Sequence, residues 1–228
     1  MKITEKNGRK VKTHIVYKNK EGERVPGVTT VLGILNKPAL IHWAWDLGCK
    51  GIDYKTFRDD KADIGTLAHE MILCHLKKET PDTSCYSQNQ IDLAETCFLK
   101  YLDWEKGKSI EPILLEQPLI SETFQYGGTI DNYCFLNGVK VLMDYKTSKA
   151  IYDENFMQVA SYKQLINEWS LKEKLDFVNE VMILRIGRDE QEGFEVKSIN
   201  NTTKYFEIFK HCLSIYNLKK EIKEVKSK

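Results

Sequence analysis

The sequence predicts an α/β domain in which a mixed β-sheet is flanked by helices and preceded by a mainly helical part. Two observations carry this expectation. At about 61–78 and 88–106, apolar residues recur at the i, i+3, i+4 spacing of amphipathic helices, whereas from about 112 to 199 short runs rich in β-branched and aromatic residues take over. A helical stretch near 153–170 interrupts those runs, and strands joined through a crossover helix belong to an α/β sheet. With 228 residues, 42% of them hydrophobic, the chain can bury one ordinary core. We therefore expect a single domain over 1–228, with a helical part at 25–108, a sheet at 110–200 and a terminal helix at 203–228.

Each element has a local reason. Residues 29–36 (TTVLGILN) read as a short helix capped by Thr29 or Thr30, and Pro38 suits the first turn of the next, ALIHWAWDLGCKG. Two longer helices are expected at 61–78 and 88–106, joined by the polar stretch Lys77 to Asn89. Strands are expected at 112–120, 128–136 and 139–146, then at 177–187 and 193–199 after the crossover helix. An amphipathic helix begins near Thr203.

Charge excludes little, because 34 Lys and Arg against 33 Asp and Glu leave a formal net charge of +1. Local basic stretches lie within residues 2–24 and from Lys219 onward, where a solvated surface or contact with nucleic acid would both suit. MKITEKNGRK lacks an apolar core, and the most hydrophobic segment, Val25 to Trp45, is broken by Pro26, Gly27, Gly33, Pro38 and His42. No membrane partner is expected, and the protein is expected to be soluble and intracellular. The six cysteines form no C-x-x-C pair and read as reduced structural thiols, not as ligands of zinc or an iron–sulfur cluster.

One hairpin carries chemistry. In TIDNYCFLNGVKVLMDYKT (129–147), Asn137-Gly138 is a strong signal for a two-residue type I′ turn. Leu136 then faces Val139, and counting outward sets Asp131 opposite Asp144. Alternation places Thr129, Asp131, Tyr133 and Phe135 on one face with Lys140, Leu142, Asp144 and Lys146. Opposed carboxylates destabilise a sheet unless a positive charge lies between them. A Mg²⁺ ion held by two carboxylates would supply it, with Lys146 beside the site. A strand end fraying into solvent, its charges screened, fits the hairpin equally well, and a one-residue bulge would separate the pair.

These residues resemble the PD-(D/E)XK nucleases, in particular the RecB-like branch that includes phage exonucleases, CRISPR adaptation nucleases and the mitochondrial single-strand exonuclease. An acid on one strand (GGTID) is followed by D-x-K on the next (LMDYKT). Gly65 to His69 (GTLAH) resembles the branch's G-x-x-x-H, Gly128 to Asp131 its G-x-x-D, and Gln158 to Tyr162 (QVASY) its Q-x-x-x-Y. VPGVTTVLGILNKPAL resembles a P-S-V-T-T-I-L segment, with Gly27 in place of Ser. The likeness runs from about Val25 to Tyr162; beyond about 175 only the general strand and helix pattern matches.

The resemblance implies a restriction-endonuclease-like sheet and hydrolysis of DNA with Mg²⁺ or Mn²⁺. It implies His69, Asp131, Asp144 and the main-chain carbonyl of Tyr145 as metal ligands, Lys146 as the group that activates the attacking water, and Gln158 and Tyr162 flanking the site. Glu116 resembles an acid often found on the preceding strand. The expected activity is an exonuclease on single-stranded ends, leaving a 5′-phosphate and a 3′-hydroxyl, in the cytoplasm of a bacterial or phage-infected cell. Repair, recombination and phage DNA processing are the settings it implies. A structure-specific or restriction-like endonuclease and a catalytically idle DNA-binding recombination partner are the alternatives. Cluster-ligating cysteines usual in adaptation nucleases are missing. Trp43 and Trp45 fit core packing better than stacking on unpaired bases, and His14, His42, His75 and His211 lack the motif context of His69.

Overall fold

The computed structural model describes residues 3–6, 9–12, 15–35, 37–173 and 177–226, the first two segments by their backbone alone. Two small antiparallel hairpins come first: β1 (Ile3–Lys6) with β2 (Arg9–Lys12), and β3 (Tyr17–Lys18) with β4 (Arg24–Val25). Neither is foreshadowed by the hydrophobic pattern, because strands this short and charged show no alternation to read. Four helices follow: α1 (Val28–Leu32), α2 (Pro38–Cys49), α3 (Tyr54–Lys77) and α4 (Gln88–Glu105).

The helix ends follow local chemistry. α1 starts at Gly27 without a side-chain cap, so the cap expected from Thr29 or Thr30 is not used. α3 begins well before the expected position 61, because the Asp53 carboxylate accepts the Thr56 N–H at 2.7 Å and satisfies the first turn. At α4, Ser87 and Gln90 form a reciprocal capping box, worth about 1 kcal/mol. Gln90 also donates to Asp60 at 2.9 Å, which ties α4 to α3.

The central sheet runs β5 (Ile110–Ser121), β6 (Tyr126–Leu136), β7 (Val139–Lys146), β8 (Glu180–Ile186) and β9 (Phe194–Ile199), in that order. Neighbours are antiparallel except β7 and β8, which are parallel and joined through α5 (Asp153–Glu173). The last helix, α6, is Thr203–Lys226. The mixed sheet, the crossover and the helical lead-in are as expected.

Each face of the sheet buries its own core. On one, α1, α5 and α6 cover Tyr126, Ile130, Tyr133 and Leu142 with Val31, Leu165 and Phe209. On the other, α3 and α4 cover Cys134, Val141, Met143 and Tyr145 with Leu67, Ile72 and Tyr101. Each large side chain so buried contributes about 1.5–3 kcal/mol, and the two layers fix the sheet between helices that both reach the site. All six cysteines are free thiols; Cys74, Cys97, Cys134 and Cys212 are buried. Trp43 packs edge-on against Tyr54 and Phe57, but Trp45 is 68% exposed, which corrects its expected place in the core. Among the described residues, no helix is long and apolar enough to cross a membrane.

Candidate metal centre and its groove

The β6–β7 turn is as counted from the sequence. Asn137 and Gly138 take φ of 49° and 82°, and the ladder runs from Leu136↔Val139 to Asn132↔Met143. There it stops. Ile130 and Tyr133 lie in the same core although they are three residues apart, while Asn132 between them donates to the Tyr145 hydroxyl at 2.9 Å, beside the other core. Strict alternation would put Ile130 and Tyr133 on opposite faces, so β6 turns over at Asp131. The direct opposition of Asp131 and Asp144 expected from the count is not formed, since the ladder ends before it.

The neighbouring strand turns over at the same level. Glu116 sits in the left-handed region with φ of 46°, and the register around it is unchanged: Leu115↔Asn132 on one side, Gln117↔Ile130 on the other. Such a backbone costs an L-residue about 1–2 kcal/mol, which surrounding structure has to offset. The paired kink brings the Glu116 and Asp131 carboxylates to His69 of α3. One donor atom from each of these three residues lies within 4.8 Å of the others.

Several contacts hold that set. Asp131 Oδ2 accepts the Tyr145 N–H at 3.0 Å and stands 3.9 Å from His69 Nδ1. The His69 ring meets the Tyr145 ring edge-on at 5.8 Å. One turn before His69, a Cβ on Gly65 would lie 2.6 Å from Thr147 Oγ1, so glycine lets α3 approach the end of β7 without displacing that hydroxyl. The spacing of GTLAH thus has a packing reason for its glycine and a chemical one for its histidine.

Asp144 stands outside that donor set. It is 1% exposed, with its Oδ2 2.5 Å from Lys146 Nζ, so the ammonium is fixed beside the site at the end of β7. On α5, Gln158 donates to the Tyr162 hydroxyl at 2.8 Å. Burial first, then the Asp144 and Asp131 carboxylates, push the Tyr162 phenol well above its ordinary value, while the Gln158 bond pulls the other way. Its proton is therefore retained, and with the oxygen already accepting from Gln158, the hydroxyl is available to donate.

Above these residues lies a groove of about 1060 Å³. His69, Asp131, Lys146, Gln158 and Tyr162 line it, so five of the eight residues expected from the sequence converge here; Glu116 joins through the donor set. Asp144 and Tyr145 support from beneath.

The walls include residues from both basic stretches of the sequence, although their meeting in one groove was not expected. One is the β3–β4 strap with Tyr17 and Arg24; another is α6 with Tyr216, Asn217 and Lys220. The strap is pinned through Tyr17, whose hydroxyl is 2.9 Å from Thr129 Oγ1, and through Asn19, which donates to Gln125 at 2.8 Å. Burial, reinforced by the Glu116 charge, raises the Tyr17 phenol, although the Thr129 bond opposes this. A Cβ on Gly127 would lie 2.3 Å from the Tyr17 ring, and one on Gly128 2.6 Å from the Tyr162 ring. That Gly127-Gly128 pair was the available signal: it marks two rings pressed on successive residues of one strand.

No protein-family model matches the chain, and no curated protein matches it. Among solved structures, the chain is similar to a protein from Eubacterium rectale assigned as an exonuclease, at 14% identity and a TM-score of 0.37, over 81% of this chain and 67% of that one. It is also similar to LHK-Exo in complex with dAMP, at 13% identity and a TM-score of 0.33, over 74% of this chain and 89% of that one. The third is SSO0001, at 11% identity and a TM-score of 0.30, over 58% of this chain; the chain spans 63% of SSO0001. Likenesses this faint leave the chemistry to be read from the site.

Proposed function

We propose that the groove hydrolyses phosphodiester bonds of DNA, working from single-stranded ends, with Mg²⁺ or Mn²⁺ held by His69, Glu116 and Asp131. The observation that carries this reading is the convergence of one imidazole and two carboxylates within 4.8 Å beside a lysine fixed by a buried acid. The donors suit the ion: hard carboxylate oxygens with one imidazole are a Mn²⁺ or Mg²⁺ set, and three such atoms all within 4.8 Å of one another leave room for one cation among them. Asp144 and the Tyr145 carbonyl are the further donors that the sequence resemblance adds.

A bound ion would neutralise the phosphate and lower the pKa of an attacking water. The chain does the rest. Two close carboxylates repel, so the kink that gathers them is a strained arrangement that a cation relieves. Lys146 places its ammonium where negative charge builds on the phosphoryl oxygens, and Asp144 keeps it from swinging away. Tyr162, held protonated, can donate to a non-bridging oxygen while Gln158 fixes its orientation. End-labelled single-stranded, duplex and circular DNA, incubated with Mn²⁺ and with chelator, test this reading. Loss of label from single-stranded ends with Mn²⁺ only is expected; equal degradation by Lys146→Ala and by the unaltered protein would sink it.

A further inference from the structure

The catalytic floor uses little of the groove. On α6, Tyr216 and Lys220 are four residues apart, so they share one helical face, and both line the groove. Tyr216 is half-buried against the core beneath it, which fixes the ring while leaving part of it accessible. From Asn217 to Val225 the helix is exposed on every side, so the Lys220 ammonium stands in solvent at the groove edge, 3.9 Å from Glu224. Arg24, also exposed, lies on the facing strap, beside the apolar Ile15 and Val16. The strap is anchored to β6 by its side chains and by the Gly127 N–H, which donates to the Pro26 carbonyl at 2.9 Å.

We infer that Tyr216, Lys220 and Arg24 form a strand-guiding subsite for unpaired nucleotides beside the reacting phosphate. It rests on the nuclease reading of the same groove and gives that reading its substrate class. A fixed ring offers a platform for any base, and cations on two facing elements offer charge to the phosphates around it. A ring flanked by cations favours a single strand, because paired bases in a duplex have no free face to stack. These three are positioning residues. The acids on the floor leave the walls to supply the attraction that holds a polyanion in place.

The test is binding of labelled oligothymidylate and of a blunt duplex to the whole protein in chelator, followed across salt. Replacing both Arg24→Gln and Lys220→Gln should flatten the slope of log K against log salt for the single strand by about 1.4, roughly 0.7 for each lost phosphate contact. Tyr216→Leu, which keeps the core filled, should weaken oligothymidylate binding at least about fivefold, whereas Tyr216→Phe should bind normally and duplex affinity should not change with either. With Mn²⁺, the same losses should appear in KM and not in kcat. An unchanged slope together with unchanged oligothymidylate affinity would overturn the subsite while leaving the nuclease reading intact. Absence of turnover by the unaltered protein strikes the nuclease reading alone, since binding is measured without metal.

Discussion

The two ends of the β6–β7 hairpin obey different rules. At the Asn137-Gly138 end, the turn and the ladder follow from residues adjacent in the chain. At the other end the ladder ceases beyond Asn132↔Met143, and the positions of the acids depend on β5, α3 and the Tyr17 strap. The regular end makes a sheet; the irregular end gathers donors. A kink shared by Glu116 and Asp131 releases both carboxylates from the ladder, while on straight β7 the equivalent acid, Asp144, stays buried on Lys146. A regular strand would have left the acids on a face defined by alternation, away from a histidine on a helix.

The comparison is tested hardest at the donors. Asp131→Asn and His69→Ala should each lower Mn²⁺-dependent hydrolysis by at least about 10³-fold, as expected if each removes about 4 kcal/mol of transition-state stabilisation. Circular dichroism should show an intact fold. Glu116→Gln sharpens the point, because only the kink brings Glu116 into the set. Its Mn²⁺ affinity by calorimetry should fall roughly tenfold, since a neutral amide is a weaker ligand of a hard cation. Undiminished Mn²⁺ binding in that variant would return Asp144 to the role of second carboxylate.

Packing at the irregular end gives the next effect. Gly127→Ala would bring a Cβ to 2.3 Å from the Tyr17 ring, and Gly128→Ala one to 2.6 Å from Tyr162. Each should cost about 1–3 kcal/mol in urea unfolding. Pairing Gly127→Ala with Tyr17→Ala should show a favourable but partial coupling, because the second change removes the ring contact while the residue-17 Cβ, 2.6 Å from the new Cβ, remains.

High pH loads both faces of the sheet. Tyr126 is pushed well above the ordinary tyrosine value by burial and by Glu168, and Tyr101 is raised by burial, then by Tyr145 and Glu105. In the unfolded chain these phenols ionise near pH 10; in the folded protein they keep their protons. The stability they contribute is complete below pH 10 and is lost as pH climbs beyond it, at about 1.4 kcal/mol per pH unit for each group. Melting temperature should therefore fall steeply above pH 10, with the phenolate absorbance of the buried tyrosines appearing only as the protein unfolds.

The same contrast explains what was legible in the sequence. Asn137-Gly138 and its strands could be counted because the turn chemistry and the pairing are local. Helix α4 could be placed from its periodicity, and α5 as the helical stretch between strands, whereas the Ser87 and Gln90 capping box was not expected. The site residues His69, Lys146, Gln158 and Tyr162 could be named from the family resemblance of their motifs, and all four line one groove. The kink could not be read, since Glu116 adopts its left-handed backbone for reasons that lie in other elements. Nor could the meeting of the walls: the basic stretches holding Arg24 and Lys220 could be seen, but Tyr17 and Arg24 lie in two-residue strands, and Tyr216 and Lys220 are separated from the other site residues by two strands of the sheet.

The smallest effect belongs to the regular end. Gly138 has φ of 82°, and a Cβ added there would meet nothing within 4 Å. Gly138→Ala therefore carries only the backbone strain of a left-handed alanine, about 1 kcal/mol, equivalent to a melting temperature lower by about 2–4 °C for a chain of this size. Hydrolysis per folded molecule should not change, because the ladder from Leu136↔Val139 to Asn132↔Met143 separates the turn from the donors and the kink follows it. Activity that falls further than the folded fraction would mean that strain at the turn travels along β6 to Asp131. The irregular end would then be set partly from the turn, and the division between a local end and a tertiary end would fail.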